Sequence, residues 1–304
     1  MRALPFATPV QAEALALGKE GPMNNDAILV TGASTGIGHA ITMLLVENGY
    51  TVYAGVRKEA DRERLEAEHD RIRPIILDVT VPADVTRAVQ TIRESGDTLV
   101  GLVNNAGIAV AGPLEYLPIE ALRHQFEVNV FAPIAMSQAA LPLLRESHGR
   151  IVTIGSIAGR ISAPFVGPYS ASKAALASLT DALRQELAGF GIAVSLLEFA
   201  SVKTPIWEKG RRGKDALVAS MPPQALVHYG AMVDAIVSQT RREEREGMHP
   251  RAIAQTVLAA LRASKPRERY VIGRKAQIQA VVAMLPAATR DRLIKKAMSS
   301  THAV

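Results

Sequence analysis

Ala27-Ile-Leu-Val-Thr-Gly-Ala-Ser-Thr-Gly-Ile-Gly38 decides the fold of this 304-residue chain. Its first four residues are a short continuous apolar run, the pattern of a strand buried on both faces. From Ile37 to Val46 the apolar residues return with helical spacing. Between the two, three glycines are spaced G-x-x-x-G-x-G, and each has its own physical task. Gly32 lets the chain turn sharply off the strand, Gly36 lets a backbone approach an anion, and Gly38 permits close packing of the helix. A phosphate set against this turn meets the unpaired N–H groups and the positive dipole end of the helix. The stretch therefore predicts strand, phosphate-binding turn and helix in immediate succession.

The alternation continues outward from it. Tyr50-Thr-Val-Tyr-Ala-Gly-Val56, Ile75-Ile-Leu77, Leu99-Val-Gly-Leu-Val103 and Arg150-Ile-Val-Thr-Ile-Gly155 read as further strands separated by helical patterns. This predicts an α/β fold, a doubly wound parallel sheet with helices on both faces and the ligand site at the carboxyl ends of the strands. With 48% hydrophobic residues the chain can bury a large core, and residues 26–304 read as a single domain. Residues 1–25, broken by Pro5, Pro9, Gly18, Gly21 and Pro22, read as a flexible extension without the basic start and long apolar core of a secretory signal. No run of about twenty apolar residues is evident, which argues against a membrane-spanning helix. Cysteine is absent, which excludes disulfides and thiolate catalysis and fits a cytoplasmic setting. The net charge of +6 and pI near 9.6 come from dispersed basic clusters without a nucleic-acid motif, so a solvated surface is expected rather than a nucleic-acid partner. The seven histidines, His124 among them, show no metal-ligand spacing; no metal is expected, and His124 reads as a surface or packing residue.

The chemistry is carried by Tyr169-Ser-Ala-Ser-Lys173. On a helix, residues four apart share a face. A free tyrosine loses its proton near pH ~10 and is a poor acid or base at neutral pH. An ammonium held beside it favours phenolate over phenol, which makes the pair a candidate for proton transfer. A ring packed under a solvated amine is the plainer reading of such a pair.

The glycine turn and the Tyr169/Lys173 pair, with Asp78, Asn104-Asn-Ala-Gly107, Asn129 and Ser156 in the same order, resemble the classical short-chain dehydrogenase/reductase family from about Asp26 to Thr204. Each of the added residues has a plainer reading too: Asp78 as a turn residue, Asn129 as a helix-surface polar group, Ser156 as a strand-end hydroxyl. The resemblance implies a Rossmann fold and a nicotinamide cofactor. It places Gly32, Ser34, Thr35, Gly36, Ile37 and Gly38 at the phosphates, Asp78 at the adenine amino group with Val79 beside it, and Asn105, Ala106 and Gly107 along the cofactor. Val202 and Thr204 fall at the carboxamide. It also implies a catalytic set of Asn129, Ser156, Tyr169 and Lys173. Tyr169 is then the proton donor or acceptor and Ser156 the holder of the carbonyl oxygen. Lys173 binds the cofactor ribose and depresses the tyrosine pKa, and Asn129 holds a connecting water through its backbone carbonyl.

Cofactor choice turns on the end of the second strand. An NAD site usually has an acid there for the ribose 2′-OH; here Val56 takes the place, and Arg57 follows with a planar fork of donors suited to a 2′-phosphate. NADP(H) is the expected cofactor and NAD(H) the alternative. Arg57 and Lys58 also fit the start of a solvated helix with Arg62 and Arg64, and Thr35 lends no basic side chain.

Where the family usually has Pro-Gly after the sixth strand, this chain has Phe199-Ala200, which puts the backbone near the cofactor in question. Residues 205–250, with Trp207, Met221, Tyr229 and Met232, are expected to form a helical lid over a bulky apolar substrate. Val52–Arg57 and Thr204–Glu208 are similar to hydroxysteroid and retinol dehydrogenases. Arg269-Tyr-Val-Ile-Gly273 reads as a strand, and residues 276–299 as a helical segment. Its apolar run Ile278 to Leu285 is expected in the core or between subunits in preference to a membrane surface. Homo-dimers or tetramers are expected through Gln125–Leu144 and Ala171–Leu187. The expected activity is NADP(H)-dependent interconversion of an apolar carbonyl compound and its alcohol. An NAD(H)-dependent alcohol dehydrogenase, a non-catalytic nucleotide-binding scaffold and a membrane-associated lipid reductase are the alternatives.

Overall fold

Seven short strands, most of them apolar, build one parallel sheet in the order β3-β2-β1-β4-β5-β6-β7. They are β1 (Asp26–Val30), β2 (Thr51–Val56), β3 (Ile72–Ile76), β4 (Thr98–Asn104), β5 (Arg150–Ile154), β6 (Ala193–Phe199) and β7 (Arg269–Ile272). This computed structural model describes residues 23, 25–204 and 222–299; most of the expected extension, and Trp207 and Met221 of the expected lid, lie outside the described residues. The order reverses direction beside β1, where β2 lies on one side and β4 on the other. That is the switch point at which a doubly wound sheet opens a crevice.

Burial on both faces explains why β1 needed a continuous apolar run: Ala27, Ile28, Leu29 and Val30 are wholly inaccessible. On one face Ile28 and Val30 pack with α1 (Gly36–Glu47) and with Ile253, Val257 and Leu261 of a late helix, Pro250–Arg262. On the other, Ala27 and Leu29 pack with α3 (Pro82–Ser95) and with Met136, Ala140 and Leu144 of α5 (Ala132–Ser147). The remaining helices are α2 (Glu59–Glu68), α4 (Ile119–Phe126), α6 (Gly167–Leu187), α7 (Pro223–Glu246), α8, the Pro250–Arg262 helix already met, α9 (Arg274–Val282) and α10 (Ala287–Ser299). A π-helical turn, Glu127–Phe131, joins α4 to α5, and a 3₁₀ turn, Ile157–Gly159, follows β5.

Two expectations need correction. The continuous helical run Ile119–Ser147 contains an 18-residue window long and apolar enough to cross a membrane, with a mean hydropathy of 1.2; 56% of that window is buried inside the fold, as in a core helix. The C-terminal apolar run is not part of the core of this chain: Ile278, Val281 and Met284 are 54%, 64% and 84% exposed. Only Ala276 of α9 is buried, because the helix touches β6, β7 and the 3₁₀ turn along a narrow stripe.

Candidate active site

The glycine turn is shaped by backbone contacts that leave no room for side chains. Gly32 and Gly36 have φ of +66° and +61°, a region that favours glycine. A Cβ on Gly38 would lie 2.2 Å from the Gly32 carbonyl oxygen and 2.5 Å from Asn105 Nδ2. Thr31 Oγ1 accepts hydrogen bonds from the backbone N–H of Asn105 and of Ala106, both at 3.0 Å, and Asn105 Nδ2 donates to the carbonyls of Thr31 and Gly32. Asn105 thus braces the turn with its side chain. Asn104 ties the end of β4 to α5, donating to Pro133 O and Ser137 Oγ. The α1 N-terminus has no side-chain cap and no acid in its first turn, so its N–H groups and dipole suit an anion.

At the end of β2, Arg57 is exposed and has no carboxylate partner within ion-pair distance among the described residues. Its neighbours on α2 differ: Arg62 pairs with Glu59, and Arg64 pairs with Asp61 and Glu68 while donating to Ser34 O at 2.6 Å. A guanidinium without an ion-pair partner beside the glycine turn fits a phosphate. Asp78 lies across from it. Burial alone would raise its carboxyl, but hydrogen bonds from the Thr80 hydroxyl and N–H, with the charges of Arg57 and His124, hold it below the usual carboxylate range.

Asn129, Ser156, Tyr169 and Lys173 come from four different stretches of chain. Asn129, wholly buried in the π-helical turn, accepts from the Ile108 N–H and donates to Ile108 O, both at 2.9 Å, and donates to Ser172 Oγ at 3.1 Å. Ser156 caps the 3₁₀ turn, its Oγ accepting from the Ala158 N–H at 3.1 Å. Lys173 is buried, and its Nζ donates to Ile154 O at 2.8 Å. Burial lowers its pKa to about 8, so it stays cationic at neutral pH and loses its proton as the pH climbs through that value.

The expected depression of the Tyr169 pKa by Lys173 is not what this geometry produces. Burial pushes the phenol above its ordinary value, and the Ser156 hydroxyl is the group that opposes the rise. Lys173 Nζ lies 5.8 Å from the ring centroid and is committed to a carbonyl oxygen. Desolvation is the larger influence on the phenol.

These groups share one cleft of about 890 Å³. Gly32, Ser34, Thr35, Gly36, Ile37, Gly38, Arg57, Asp78 and Val79 line one part of it. Asn105, Ala106, Gly107, Ser156, Tyr169, Lys173, Val202 and Thr204 line it as well. Asn129 does not; it stands behind the wall, where its Oδ1 would be 3.3 Å from a Cβ on Gly107. Phe199 is buried and pairs with Ile272 as the last rung of the β6–β7 ladder, a place where proline would lack a donor. Beyond it, Lys203 N–H and Met248 O, and Met248 N–H and Ser201 O, are bonded at 2.9 and 3.0 Å.

Several contributors have a role at the cleft that differs from, or adds to, the one expected from the sequence. Gln125, wholly buried, accepts from the Val110 N–H and donates to Ile108 O, and so shapes the cleft wall with Asn129. The four-residue spacing of Gln125 and Asn129, which puts two amides on one helix face, is the sequence signal for it. His124 lines the cleft and was read only as surface or packing. Glu115, Tyr116, Phe165, His228 and Tyr229 form a cluster with no local signature: Tyr229 OH donates to Glu115 Oε2 at 2.8 Å, and its ring meets Phe165 and Tyr116 edge-on at 5.9 and 6.0 Å. Phe165 holds φ at +68°, an uncommon state for a non-glycine residue. The cluster joins α7 to the loops before α4 and α6 at the cleft.

Comparison with known proteins identifies the family. Residues 26–215 match the family model described as short chain dehydrogenase. The chain is 35% identical to an NADPH-dependent 3-dehydrocapnine reductase of Ornithobacterium rhinotracheale, over 88% of this chain and 95% of that protein. It is 33% identical to retinol dehydrogenase 5 of Mus musculus, over 90% and 89%. A short chain dehydrogenase from Burkholderia cenocepacia J2315, solved in complex with NADP, superposes with a TM-score of 0.68 at 29% identity, over 89% of this chain and 97% of that one. This chain belongs to the short-chain dehydrogenase/reductase family of oxidoreductases that act on CH–OH groups with a nicotinamide cofactor.

Proposed function

We propose that the protein interconverts a carbonyl compound and its alcohol with NADP(H), on a bulky, largely apolar small molecule, with Tyr169 as general acid or base. The observation that carries this reading is the meeting of Ser156, Tyr169 and Lys173 in the same cleft as the glycine turn and Arg57, which has no ion pair among the described residues. The glycine turn and the α1 N-terminus would hold the pyrophosphate, Arg57 the 2′-phosphate and Asp78 the adenine. The NADP complex of the Burkholderia cenocepacia protein and the NADPH-dependent Ornithobacterium rhinotracheale relative support the choice of cofactor. Val110, Ala111, Val128, Ala225, Leu226 and Val233 give the rest of the cleft its apolar lining.

NADPH, when bound, supplies the hydride for reduction. The carbonyl oxygen gains negative charge as its carbon is reduced, and the Ser156 hydroxyl donates a hydrogen bond to it. Tyr169 transfers its phenolic proton to that oxygen. Burial favours the protonated phenol, the form needed to donate in the reduction direction. Lys173 supplies the nearby positive charge at neutral pH, and Asn129 fixes the Ile108 backbone beside the site. Alcohol oxidation uses the same groups in reverse. Phe131 and Leu179, exposed apolar residues on the π-helical turn and α6, support pairing of two or four copies through these helices.

Tyr169→Phe tests the reading. With bulky ketones and NADPH, kcat is expected to fall by about 10² to 10⁴, while NADPH affinity by calorimetry stays within about twofold because no phosphate contact is lost. Undiminished turnover would remove Tyr169 from the chemistry.

A further inference from the structure

We infer that Glu198 and Arg160 position Ser156 for the reaction; this rests on the oxidoreductase reading above. Glu198 is 1% exposed and stands one residue before the end of β6. Its carboxylate accepts from Arg160 Nε at 2.9 Å and from Arg160 Nη2, a two-pronged pair, and from Arg269 Nη1 of β7 at 3.3 Å. Arg269 also pairs with Asp181 of α6, which faces Arg184 at 3.8 Å.

Arg160 closes the 3₁₀ turn that Ser156 opens: Gly159 N–H donates to Ser156 O at 3.0 Å, and Arg160 N–H to Ile157 O at 2.9 Å. The opposite side of that turn presses on α6, where a Cβ on Gly159 would lie 2.9 Å from the Lys173 carbonyl carbon and oxygen. The Ser156 turn is therefore held between the backbone of Lys173 and an ion pair to the buried Glu198 of β6, with Arg160 partly exposed. A carboxylate this buried is expensive to desolvate, and an apolar side chain of similar volume would fill the space without that cost. A two-pronged guanidinium pair fixes direction as well as distance, which an apolar contact does not. Placement matters here because the Ser156 hydroxyl acts on both the Tyr169 phenol and the substrate oxygen, and hydrogen-bond donors lose most of their effect when displaced by about 1 Å. The pair also anchors the strand end that leads into Phe199-Ala200, where the stiffening of a proline is missing.

The test is a double-mutant cycle of Glu198→Gln with Ser156→Ala, beside Arg160→Lys as a charge-conserving variant. Glu198→Gln is expected to lower kcat by roughly tenfold or more with NADPH affinity unchanged, and Arg160→Lys by a smaller factor. In the Ser156→Ala background, Glu198→Gln should cost less than about twofold, because the group it positions is already gone. Equal losses in the two backgrounds would make Glu198 a general stabiliser and overturn the inference. Amide hydrogen exchange supplies a readout that needs no turnover. Glu198→Gln should speed exchange over Ile157–Gly159 by about tenfold and leave β1 unchanged, with uniform or absent acceleration counting against the proposal. A wild-type protein that turns over no carbonyl or alcohol would sink the oxidoreductase reading, while the exchange comparison would still decide whether the pair fixes the turn.

Discussion

The two ends of the cleft are built from different materials. The glycine end is backbone against backbone: Gly32 and Gly36 in left-handed conformations, Gly38 against a carbonyl, and Thr31 and Asn105 stitching β1 to β4. The opposite end is side chain against side chain, where Tyr229 of α7 meets Glu115, Tyr116 and Phe165 from two loops. A backbone cradle tolerates almost no change and fixes one shape of ligand. A cluster of side chains hydrogen-bonded near the surface can be repacked and so can follow the shape of a substrate. Substitutions should therefore be harsh and specific to cofactor at the first end, mild and specific to substrate at the second.

Gly38→Ala is the strongest attempt to break that contrast. The added methyl meets the Gly32 carbonyl oxygen at 2.2 Å and Asn105 Nδ2 at 2.5 Å, so the turn must move. NADPH affinity by calorimetry is expected to fall by about 100-fold, the equivalent of about 3 kcal/mol of overpacking. Near-normal binding would mean the turn is more compliant than its contacts imply. Arg57→Ala comes next. Loss of a charge-assisted phosphate contact should weaken NADPH by about tenfold or more and leave NADH almost unchanged. An equal loss for both cofactors would place Arg57 away from the 2′-phosphate.

The same contrast explains what was legible in the sequence. The β1 run and the spacing of Gly32, Gly36 and Gly38 are local, and the backbone shapes they encode are written within twelve residues. The doubly wound sheet followed because the crossover rules for parallel strands leave few alternatives. Ser156, Tyr169 and Lys173 were found through motif order, and they share the cleft. Their electrostatics were not legible: the Tyr169 pKa is set by burial, which a one-turn spacing from Lys173 does not report. Likewise Gln125 and Glu198 act through contacts spanning 15 to 17 and 38 to 71 residues, respectively. Ile278, Val281 and Met284 lie outside the core of this chain because apolar composition predicts burial only where another element arrives to cover it, which leaves the expected packing between subunits as the other half of that expectation.

The gentlest substitution, Tyr229→Phe, sharpens the comparison at the substrate end. It removes the hydroxyl that donates to Glu115 Oε2 at 2.8 Å and keeps the ring that meets Phe165 and Tyr116 edge-on. That hydrogen bond also raises the Tyr229 phenol above its ordinary pKa, with burial and the charge of Glu115 adding to it. The contact is near the surface, where water replaces a lost partner, so the consequence should be confined to how readily α7 lifts from the cleft. Exchange over residues 223–230 should quicken a few-fold and KM for a bulky ketone rise by about two- to threefold, with NADPH affinity the same. A change in NADPH affinity as large as that in KM would show that the two ends are mechanically joined. The division between a rigid cofactor cradle and an adaptable substrate wall would then fail at the place where it is easiest to measure.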